Sequence, residues 1–305
     1  MARYVMFDEF GGPDVLHIVH DGRPEAGRGE LRVRVRFAGL NPVDYKILHG
    51  GEAAVRYNAV PPCGNGNDFS GVVDEVGDGV TGFVVGDAVF GGKRMQGQAD
   101  WVVIDATRVI RLPDGLTFEQ AGALDIAGRA AWASVRQLGL GADDTVLVSA
   151  AAGGVGVIAC QLALRAGATV IGTASAGQHD FLRGLGVIPV EYGPGLVDRV
   201  RAVSDRVTAV LDYHGPETID AGLTLGVPGA RINTIAARGH RTGTGVTDVG
   251  GQAASLADLA QLAALIAAGA VVLPIDSVYP LEQVREAYAR LMGGHLRGKI
   301  VLAVS

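Results

Sequence analysis

Alternation of polar and apolar residues dominates the first third of the chain. Between Leu31 and Phe37, in ELRVRVRFAGL, the residue class changes at successive positions, as it does in a half-buried strand. Further short β-type runs, GVVDEVGDGV, GDAVFGG and ADWVVI, are separated by glycine and aspartate, which favour turns. No long helical pattern interrupts residues 1 to about 110. We therefore expect an irregular antiparallel barrel in this part of the chain.

The spacing becomes helical between Thr117 and Gly139, where Thr117 and Gln120 fit a capping box. From Thr145 onward, predicted strands and helices alternate, which is typical of a parallel sheet with right-handed crossovers. The strands are TVLVSA, ATVIGTA, TAVLDYH and ARINTIA, and the helices lie around VGVIACQLALR, QHDFLRGLG, LVDRVRAVS, PETIDAGLTLG and SLADLAQLAALIAAG. The fold class is therefore α/β.

The last predicted elements return to the first domain. They are the segment VVLPIDSVYP, the helix LEQVREAYARLMGG and the final strand GKIVLAV. A chain of 305 residues suits two domains. We expect residues 1–118 with 272–305 to form a β-rich catalytic domain, and residues 119–271 to form a doubly wound nucleotide-binding domain.

Charge and composition narrow the function classes. The net charge is −6 and no block of five lysines and arginines occurs, which argues against a nucleic-acid surface. There is no run of 18 apolar residues and no signal peptide at the start, so we expect a cytoplasmic protein without a membrane partner. Two cysteines, Cys63 and Cys160, cannot build a disulfide framework or a four-thiolate zinc site.

The segment VSAAAGGVGVIAC is similar to a dinucleotide-binding loop that lacks its first glycine. In the G-x-G-x-x-G frame, Ala151 takes the first position and Gly153 and Gly156 take the others. Gly153 lets the backbone approach a pyrophosphate, Gly156 lets helix and strand pack closely, and the helix N-terminus supplies free N–H groups. Ala151 is tolerated if its position needs a small residue and not a positive φ. The alternative is an ordinary strand-turn-helix with packing glycines.

The end of the second parallel strand indicates which cofactor binds. An NAD enzyme places Asp or Glu there, about 20 residues past the loop, to hold the ribose 2′-hydroxyl. Here the strand ends GTAS, and Ser175 can donate to a 2′-phosphate that a carboxylate would repel. His179 and Tyr192 are further candidate ligands, although a solvated surface position explains His179 as well. We therefore expect NADP(H).

Four segments together resemble a known family. They are GLNPVDYKILHG, GNDFSGVVDEVGDGVTGFVVGDAVFG, AAAGGVGVIACQLALRAGATVIGTAS and HLRGKIVLAVS, in the family's order. Over essentially its whole length the chain resembles a zinc-independent medium-chain dehydrogenase/reductase of the quinone oxidoreductase type, which includes zeta-crystallin. The resemblance implies a GroES-like domain plus a Rossmann domain, NADPH use, a homodimer, and hydride transfer to a quinone or to the C=C of an enone or enoyl thioester.

The same resemblance implies that no metal is bound. Zinc alcohol dehydrogenases of similar fold carry Cys where this chain has Asn41, and Gly-His-Glu where it has GNGND. Without a Lewis acid an alkoxide is hard to stabilise, so alcohol oxidation is disfavoured. Reduction of an activated C=C needs only a positioned hydride and a donor near the carbonyl oxygen or the α-carbon.

Carried over residue by residue, the resemblance places Asn41 beside the nicotinamide, where its amide donates to a substrate carbonyl. Asp44 matches the family acid of the same turn, or is a carboxylate that caps local N–H groups. Tyr45 or Lys46 donates a proton, unless bulk water does so. The matched cofactor residues are Ala151, Gly153, Gly154, Val155 and Gly156 in the pyrophosphate loop, and Ser175, Tyr192 and Lys299 elsewhere. A surface ion pair explains Lys299 equally well.

Three departures from the family pattern affect the substrate and cofactor sites. Lys46 and Glu52 stand where many relatives have tyrosines, and a lysine that is frequent near Ser175 is missing. Arg129 either pairs with Asp125 on its own helix or binds a phosphate or an acidic substrate.

Three further features have an open role. His214 follows a parallel strand at its carboxyl end, so we expect it to contact the cofactor. Cys63 has no evident base for a redox or nucleophilic role. The polar loop Arg238–Gln252 forms a mobile flap over the site or a dimer edge.

The predicted function is therefore that of an NADPH-dependent, zinc-independent oxidoreductase, a quinone oxidoreductase or an enone reductase. One alternative is a biosynthetic tailoring enoyl reductase or cyclase with a dedicated substrate. Another is a non-catalytic NADPH-binding protein. In each case the partner is a small molecule.

Overall fold

A computed structural model describes all 305 residues of the chain, and its strands form three sheets. The strands are β1 (Ala2–Phe7), β2 (His17–Asp21), β3 (Glu30–Gly39), β4 (Cys63–Gly64), β5 (Asp68–Val76), β6 (Ala88–Gly92), β7 (Trp101–Asp105), β8 (Val109–Arg111), β9 (Thr145–Val148), β10 (Thr169–Thr173), β11 (Ile188–Val190), β12 (Ala209–Asp212), β13 (Ile232–Thr234), β14 (Ile275–Pro280) and β15 (Lys299–Ala303).

Most of the helices lie in the second half of the chain, where they alternate with the parallel strands. They are α1 (Pro42–Leu48), α2 (Gly51–Tyr57), α3 (Phe118–Ala121), α4 (Asp125–Leu138), α5 (Gly154–Arg165), α6 (His179–Gly184), α7 (Leu196–Arg201), α8 (Pro216–Thr224), α9 (Leu256–Ala267) and α10 (Val284–Met292). None of them is long and apolar enough to cross a membrane.

The predicted doubly wound sheet is confirmed. It has five parallel strands in the order β11-β10-β9-β12-β13. The chain leaves β9 toward β10 and β11, and then crosses back to place β12 on the other side of β9. Ligands of such sheets bind at the carboxyl ends of the strands where the order reverses, which here is the end shared by β9 and β12.

The prediction that the chain's end returns to the first part is also confirmed. A seven-stranded sheet has the order β14-β15-β3-β5-β6-β8, and β7 pairs with β3. β15 runs antiparallel to β3, and β14 runs parallel to β15. A smaller sheet, β2-β1-β4, packs on the same apolar core. The exact boundaries at residues 118 and 271 stay a prediction.

The single helix predicted between Thr117 and Gly139 is wrong, because two helices occupy this stretch. The capping box of Thr117 and Gln120 is present at the start of α3. α3 ends before Gly122, where an added Cβ would lie 2.7 Å from the Phe37 carbonyl oxygen. The chain passes that close to β3 and then turns into α4.

Two short helices, α1 and α2, interrupt the β-rich part, which the sequence pattern did not predict. α1 begins with a proline at its first position, and the two residues around its start bond to each other: the Asp44 carboxylate accepts from the Asn41 N–H, and the Asp44 N–H donates to the Asn41 backbone carbonyl at 3.0 Å. α2 starts after Gly50 at φ +84° and ends at the left-handed Asn58. Each helix has only seven residues, too few for a periodic pattern to stand out.

Candidate functional site

A cleft of about 530 Å³ lies between the α1–α2 segment and the carboxyl ends of the parallel strands. Eleven of its nineteen lining residues are hydrophobic, as is usual for a small-molecule site. One wall comes from α1 and α2, another from α4 and the first turn of α5, and a third from the segments after β12 and β13. The lining residues are Asn41, Pro42, Val43, Tyr45, Lys46, His49, Gly50, Glu52, Ala53, Arg56, Ile126, Ala130, Val155, Tyr213, Ile235, Ala236, Ala237, Arg238 and Met292.

The glycine loop joins β9 to α5 at the edge of this cleft. Gly153 is the N-cap of α5, and the N–H groups of Val155 and Gly156 have no acceptor in the protein. A Cβ on Gly156 would lie 2.2 Å from the Ala150 carbonyl oxygen, so this glycine permits the close turn. Free N–H groups at the start of a twelve-residue helix are what a pyrophosphate requires. The loop therefore fits a dinucleotide.

The alanine in place of the first glycine has a structural reason. Ala151 is fully buried and does not have a positive φ, which is the condition set for tolerating it. A Cβ on Gly172 of β10 would come within 2.6 Å of the Ala151 Cβ, so the space suits a small side chain. The left-handed conformation is adopted one residue earlier, by Ala150 at φ +47°.

The glycine loop is tied to the first sheet through the start of β15. The Gly298 N–H donates to the Ala152 carbonyl at 2.8 Å, and Gly298 forms a β-bridge with Gly153. Next to it, the Lys299 side chain passes under the loop, since a Cβ on Gly154 would lie 2.5 Å from Lys299 Cδ. The nucleotide loop and the α1 segment are thus joined by one stretch of chain.

The surface ion pair considered for Lys299 is wrong, because Lys299 is only 4% exposed. Its ammonium donates to the Leu40 carbonyl at 2.6 Å and to Asn41 Oδ1. The Asn41 Nδ2 donates in turn to Asp68 at 3.0 Å. A cation on the oxygen and a carboxylate on the nitrogen fix which way the amide points. The second Nδ2 proton remains for the cleft that Asn41 lines.

Lys299 and Asp68, which bind the Asn41 amide from its two sides, are both buried, and burial disfavours the charged form of each. It raises the pKa of Asp68, whose carboxylate also accepts the Ile126 N–H from α4 at 3.1 Å, while the positive charge of Lys299 opposes that rise. Burial lowers the pKa of Lys299, and the negative charges of Asp68 and Asp44 oppose that change. Each charge is therefore favoured by its attraction to the other across the Asn41 amide, which lies between them.

Asp44 has the capping role that was one of its two interpretations. Its Oδ2 accepts the Asn41 N–H at 2.8 Å, and its Oδ1 accepts from the Asn67 amide. The side chain is buried, does not line the cleft and points into the first domain's core beside Tyr288. It therefore acts on Asn41 through the start of α1 rather than on a substrate directly.

This burial predicts a pH-dependent stability. Burial raises the pKa of Asp44 to about 6 from 3.8, against the opposing hydrogen bonds from Asn41 and Asn67. Between about pH 4 and 6 the folded state then holds the proton more tightly than the unfolded state, so stability falls as pH rises. We expect the stability of the wild type relative to Asp44→Asn to decrease by roughly 2–3 kcal/mol across this range. Denaturant unfolding at several pH values measures it, and parallel curves for the two proteins would refute it.

Tyr45 and Lys46 both line the cleft, as does Glu52. Tyr45 is half-buried, and burial raises the pKa of its phenol, which keeps the proton on it. Lys46 is exposed and its ammonium has no acceptor in the protein, whereas Glu52 lies 3.9 Å from Arg56. Of the two candidate proton donors, neither is held in a hydrogen bond that would orient it.

The residues expected around the adenosine end come together only in part. His179 lies 3.3 Å from the Ala174 carbonyl, directly beside Ser175. Tyr192 is 43% exposed and its ring lies 6.4 Å from that of the exposed His214. Both His179 and His214 stand at the carboxyl edge of the sheet, and neither lines the cleft described above.

Two residues at this end were missed by the sequence analysis. The His295 ring lies 6.5 Å from that of Tyr192, and the Tyr192 hydroxyl is 3.4 Å from its Nδ1. Arg297 donates to Gln178 at 2.8 Å and stacks over Phe181 at 4.7 Å. His295 and Arg297 follow α10 in the segment HLRGK, which is part of a stretch that resembles the family. Nothing in that segment indicates that these side chains contact residues more than 100 positions earlier.

The two open interpretations of Arg129 are decided by its contacts. It lies 3.8 Å from Asp125 on α4, and it donates to the carbonyls of Gly251 and Ala254 at 3.2 and 2.7 Å. It therefore fastens the end of the polar loop to α4 and does not line the cleft. Whether the loop Arg238–Gln252 is a flap or a dimer edge stays a prediction.

Neither cysteine has a reactive setting. Burial raises the pKa of the half-buried Cys63 and of Cys160, which lies inside α5. In the whole chain, no three His, Cys, Asp or Glu side chains are grouped so that they could hold a metal ion.

Comparison with known proteins agrees with this geometry. Residues 27–114 match the model of the alcohol dehydrogenase GroES-like domain, and residues 189–302 match that of the zinc-binding dehydrogenases.

The quinone oxidoreductase of Mus musculus is 30% identical over 99% of this chain and 98% of its own. The structure of the quinone oxidoreductase from Coxiella burnetii superposes with a TM-score of 0.86 at 30% identity, covering 100% and 99% of the two chains. A structure named an NAD-dependent alcohol dehydrogenase superposes with a TM-score of 0.88 at 29% identity, covering 99% and 100%. With its GroES-like and Rossmann parts, the chain belongs to the quinone oxidoreductases of the medium-chain dehydrogenase/reductase family.

Proposed function

We propose that the protein is an NADPH-dependent, zinc-independent oxidoreductase that transfers a hydride to a quinone or to the C=C of an α,β-unsaturated carbonyl compound. One observation carries this proposal. The cleft brings Val155, in the first turn of α5, into the same cavity as the amide of Asn41. A hydride donor seated on the glycine loop and an acceptor oxygen at Asn41 would then share that cavity.

The bound nicotinamide supplies the hydride, and the protein supplies binding and orientation. The free N–H groups at the start of α5 bind the pyrophosphate. Asn41 donates its remaining Nδ2 proton to the acceptor carbonyl, whose oxygen gains negative charge as the C=C is reduced. Because Lys299 and Asp68 hold this amide in one orientation, little reorganisation is needed during the reaction.

Protons for the reduced product come from the same wall of the cleft. Tyr45 and Lys46 both carry a proton at neutral pH, and the cleft is open to water. Asp44 and Asp68 lie behind this wall and do not reach the cavity. Protonation after hydride transfer is therefore assigned to Tyr45, Lys46 or water.

The preference for NADPH rests on the surroundings of Ser175. β10 ends before Ser175 without a carboxylate, and the next acid along the chain, Asp180, is bound to Arg183 at 2.6 Å. Arg297 reaches Gln178 from the C-terminal segment and adds a permanent positive charge there. Arginine is well suited to a phosphate, and it stands in for the lysine that is frequent in relatives near Ser175.

Zinc independence is supported by the residues at the position where related dehydrogenases bind the metal. Asn41 replaces a cysteine ligand and is bound to Lys299, a cation that would repel a metal ion. We also propose a homodimer and a cytoplasmic location, as the family resemblance implies.

The proposal is tested by mixing the purified protein with NADPH or NADH and following cofactor oxidation with a quinone and with a neutral enone. We expect NADPH to be oxidised faster than NADH, with no loss of rate after treatment with a chelator. Loss of activity on chelation, or a clear preference for NADH, would contradict the corresponding part of the proposal. Tight NADPH binding without turnover of any acceptor would favour the non-catalytic alternative.

A further inference from the structure

The cleft has an apolar interior and a positively charged mouth. Pro42, Tyr45, Lys46 and His49 lie on one face of α1, at spacings of three and four residues, and all four line the cavity. Small apolar side chains from α2, α4 and the segment after β13 form the opposite surfaces. A ligand that fills this space therefore has an apolar body, with polar groups only at Asn41 and at the mouth.

Lys46 is the most unusual residue of this mouth. The chain has only three lysines, and the other two are bound to carbonyl oxygens: Lys93 to Val103, and Lys299 to Leu40. Lys46 has no hydrogen bond or ion pair and is exposed at the cleft. In a protein of net charge −6, an unpaired cation at this place attracts anions that the rest of the molecule repels.

Two arginines reinforce this charge. Arg56 on α2 touches the only lining carboxylate, Glu52, no closer than 3.9 Å. Arg238, on the facing wall, uses Nη1 for Asp248 at 2.9 Å, while its buried Nε has no partner in the protein. An N–H buried without an acceptor is costly, and an anion in the cleft is one group that could satisfy it.

We infer that the substrate of this enzyme is an anionic α,β-unsaturated carbonyl compound, with its carbonyl oxygen at Asn41, an apolar body along α1 and an anionic group at Lys46. Lys46 follows Asn41, the N-cap of α1, by five positions, which corresponds to about 7.5 Å along the helix axis. The anionic group is therefore several carbon atoms from the carbonyl. This inference rests on the proposed function. A plain quinone or a neutral enone has no group that pairs with the positive charge of Lys46.

The test compares three acceptors with the same carbon skeleton. The first is an enone with a terminal carboxylate, and the second is its methyl ester, which has no charge. The third is the coenzyme A thioester of the corresponding enoic acid, which carries its negative charge on phosphates. We expect the wild type to have about a two- to fivefold higher kcat/KM for the carboxylate than for the ester, the range of an exposed ion pair. Lys46→Met removes this advantage, which is measured as the ratio of kcat/KM for the carboxylate to kcat/KM for the ester within each protein, so that any loss of proton donation by Lys46 affects both acceptors alike and cancels. The matched control is Arg165→Met, at the exposed end of α5, which preserves the carboxylate advantage.

The outcomes separate the inference from the proposed function. The inference is overturned if the wild type has equal kcat/KM for carboxylate and ester, or if Lys46→Met keeps the carboxylate advantage. In both cases, reduction of the ester still upholds the proposed function. If only the thioester has a higher kcat/KM than the ester, and Lys46→Met removes that difference, the anionic group at Lys46 is a phosphate rather than a carboxylate. If no acceptor, quinones included, oxidises NADPH, the proposed function fails and the inference fails with it.

Discussion

Replacement of Lys299 by methionine is expected to lower the free energy of unfolding by about 3–5 kcal/mol, because it leaves a buried carboxylate without its cation. Methionine fills a similar volume, so the loss reports the charge and its hydrogen bonds rather than a cavity. Asn41 Oδ1 and the Leu40 carbonyl both lose their donor, and Asp68 keeps only its amide contacts. Urea unfolding of the purified variant measures the change.

The matched control is Lys93→Met. Lys93 is half-buried, but its ammonium donates to the Val103 carbonyl and to no carboxylate. Its removal is expected to cost about 1 kcal/mol, the net value of one hydrogen bond. Equal losses in the two variants would show that Lys299 has no special electrostatic role.

A second substitution distinguishes charge from packing. In Lys299→Met combined with Asp68→Asn, the amide oxygen at position 68 still accepts the Ile126 N–H, its NH2 group faces the Asn41 oxygen that Lys299 no longer occupies once that amide turns, and position 68 carries no charge. We expect the double variant to recover at least about 2 kcal/mol relative to Lys299→Met, since a neutral pair tolerates burial better than an isolated charge. Further destabilisation instead of recovery would contradict the account of this contact.

The parallel sheet follows from local patterns, whereas the contacts of Lys299 do not. Strands β9, β10, β12 and β13 each show an apolar run between turn residues, and the helices between them are periodic, so the parallel sheet could be predicted. The bond from Lys299 to Asn41 joins residues 258 positions apart, and each of them alone suits a surface loop. Only the pairing of β15 with β3 brings them together.

The break in the helix at Gly122 was not predicted for the same reason, because it depends on a contact between distant segments. Residues 117 to 139 have uninterrupted helical spacing, and Gly122 inside it looks like a tolerated glycine. The break between α3 and α4 results from the approach of this segment to β3, with the Phe37 carbonyl at 2.7 Å from where a Cβ would be. Such close passages between distant segments are decided by tertiary packing. The same holds for His295 and Arg297, which the turn after α10 places against Tyr192 and Gln178.

Gly156→Val is expected to weaken NADPH binding by about a hundredfold or more. The new Cβ would lie 2.2 Å from the Ala150 carbonyl oxygen and 3.0 Å from the Ala151 Cα, so the loop must move away from α5. Overpacking of this kind costs about 1–3 kcal/mol, and the upper end applies where the obstacle is backbone. Because the displaced backbone carries the phosphate-binding N–H groups, the cost falls on the cofactor, and about 3 kcal/mol corresponds to roughly a hundredfold in Kd.

Fluorescence titration with NADPH measures this Kd, and circular dichroism verifies that the variant is folded. Gly184→Val is the matched control: Gly184 is exposed at the end of α6, has no positive φ, and a Cβ there would meet no atom within 4 Å. The control should bind NADPH like the wild type. If Gly156→Val is folded and also binds like the wild type, the loop does not hold the pyrophosphate. If the wild type itself does not bind NADPH or NADH, the glycines of Val148 to Cys160 serve only to pack strand against helix, which was the alternative interpretation of this segment.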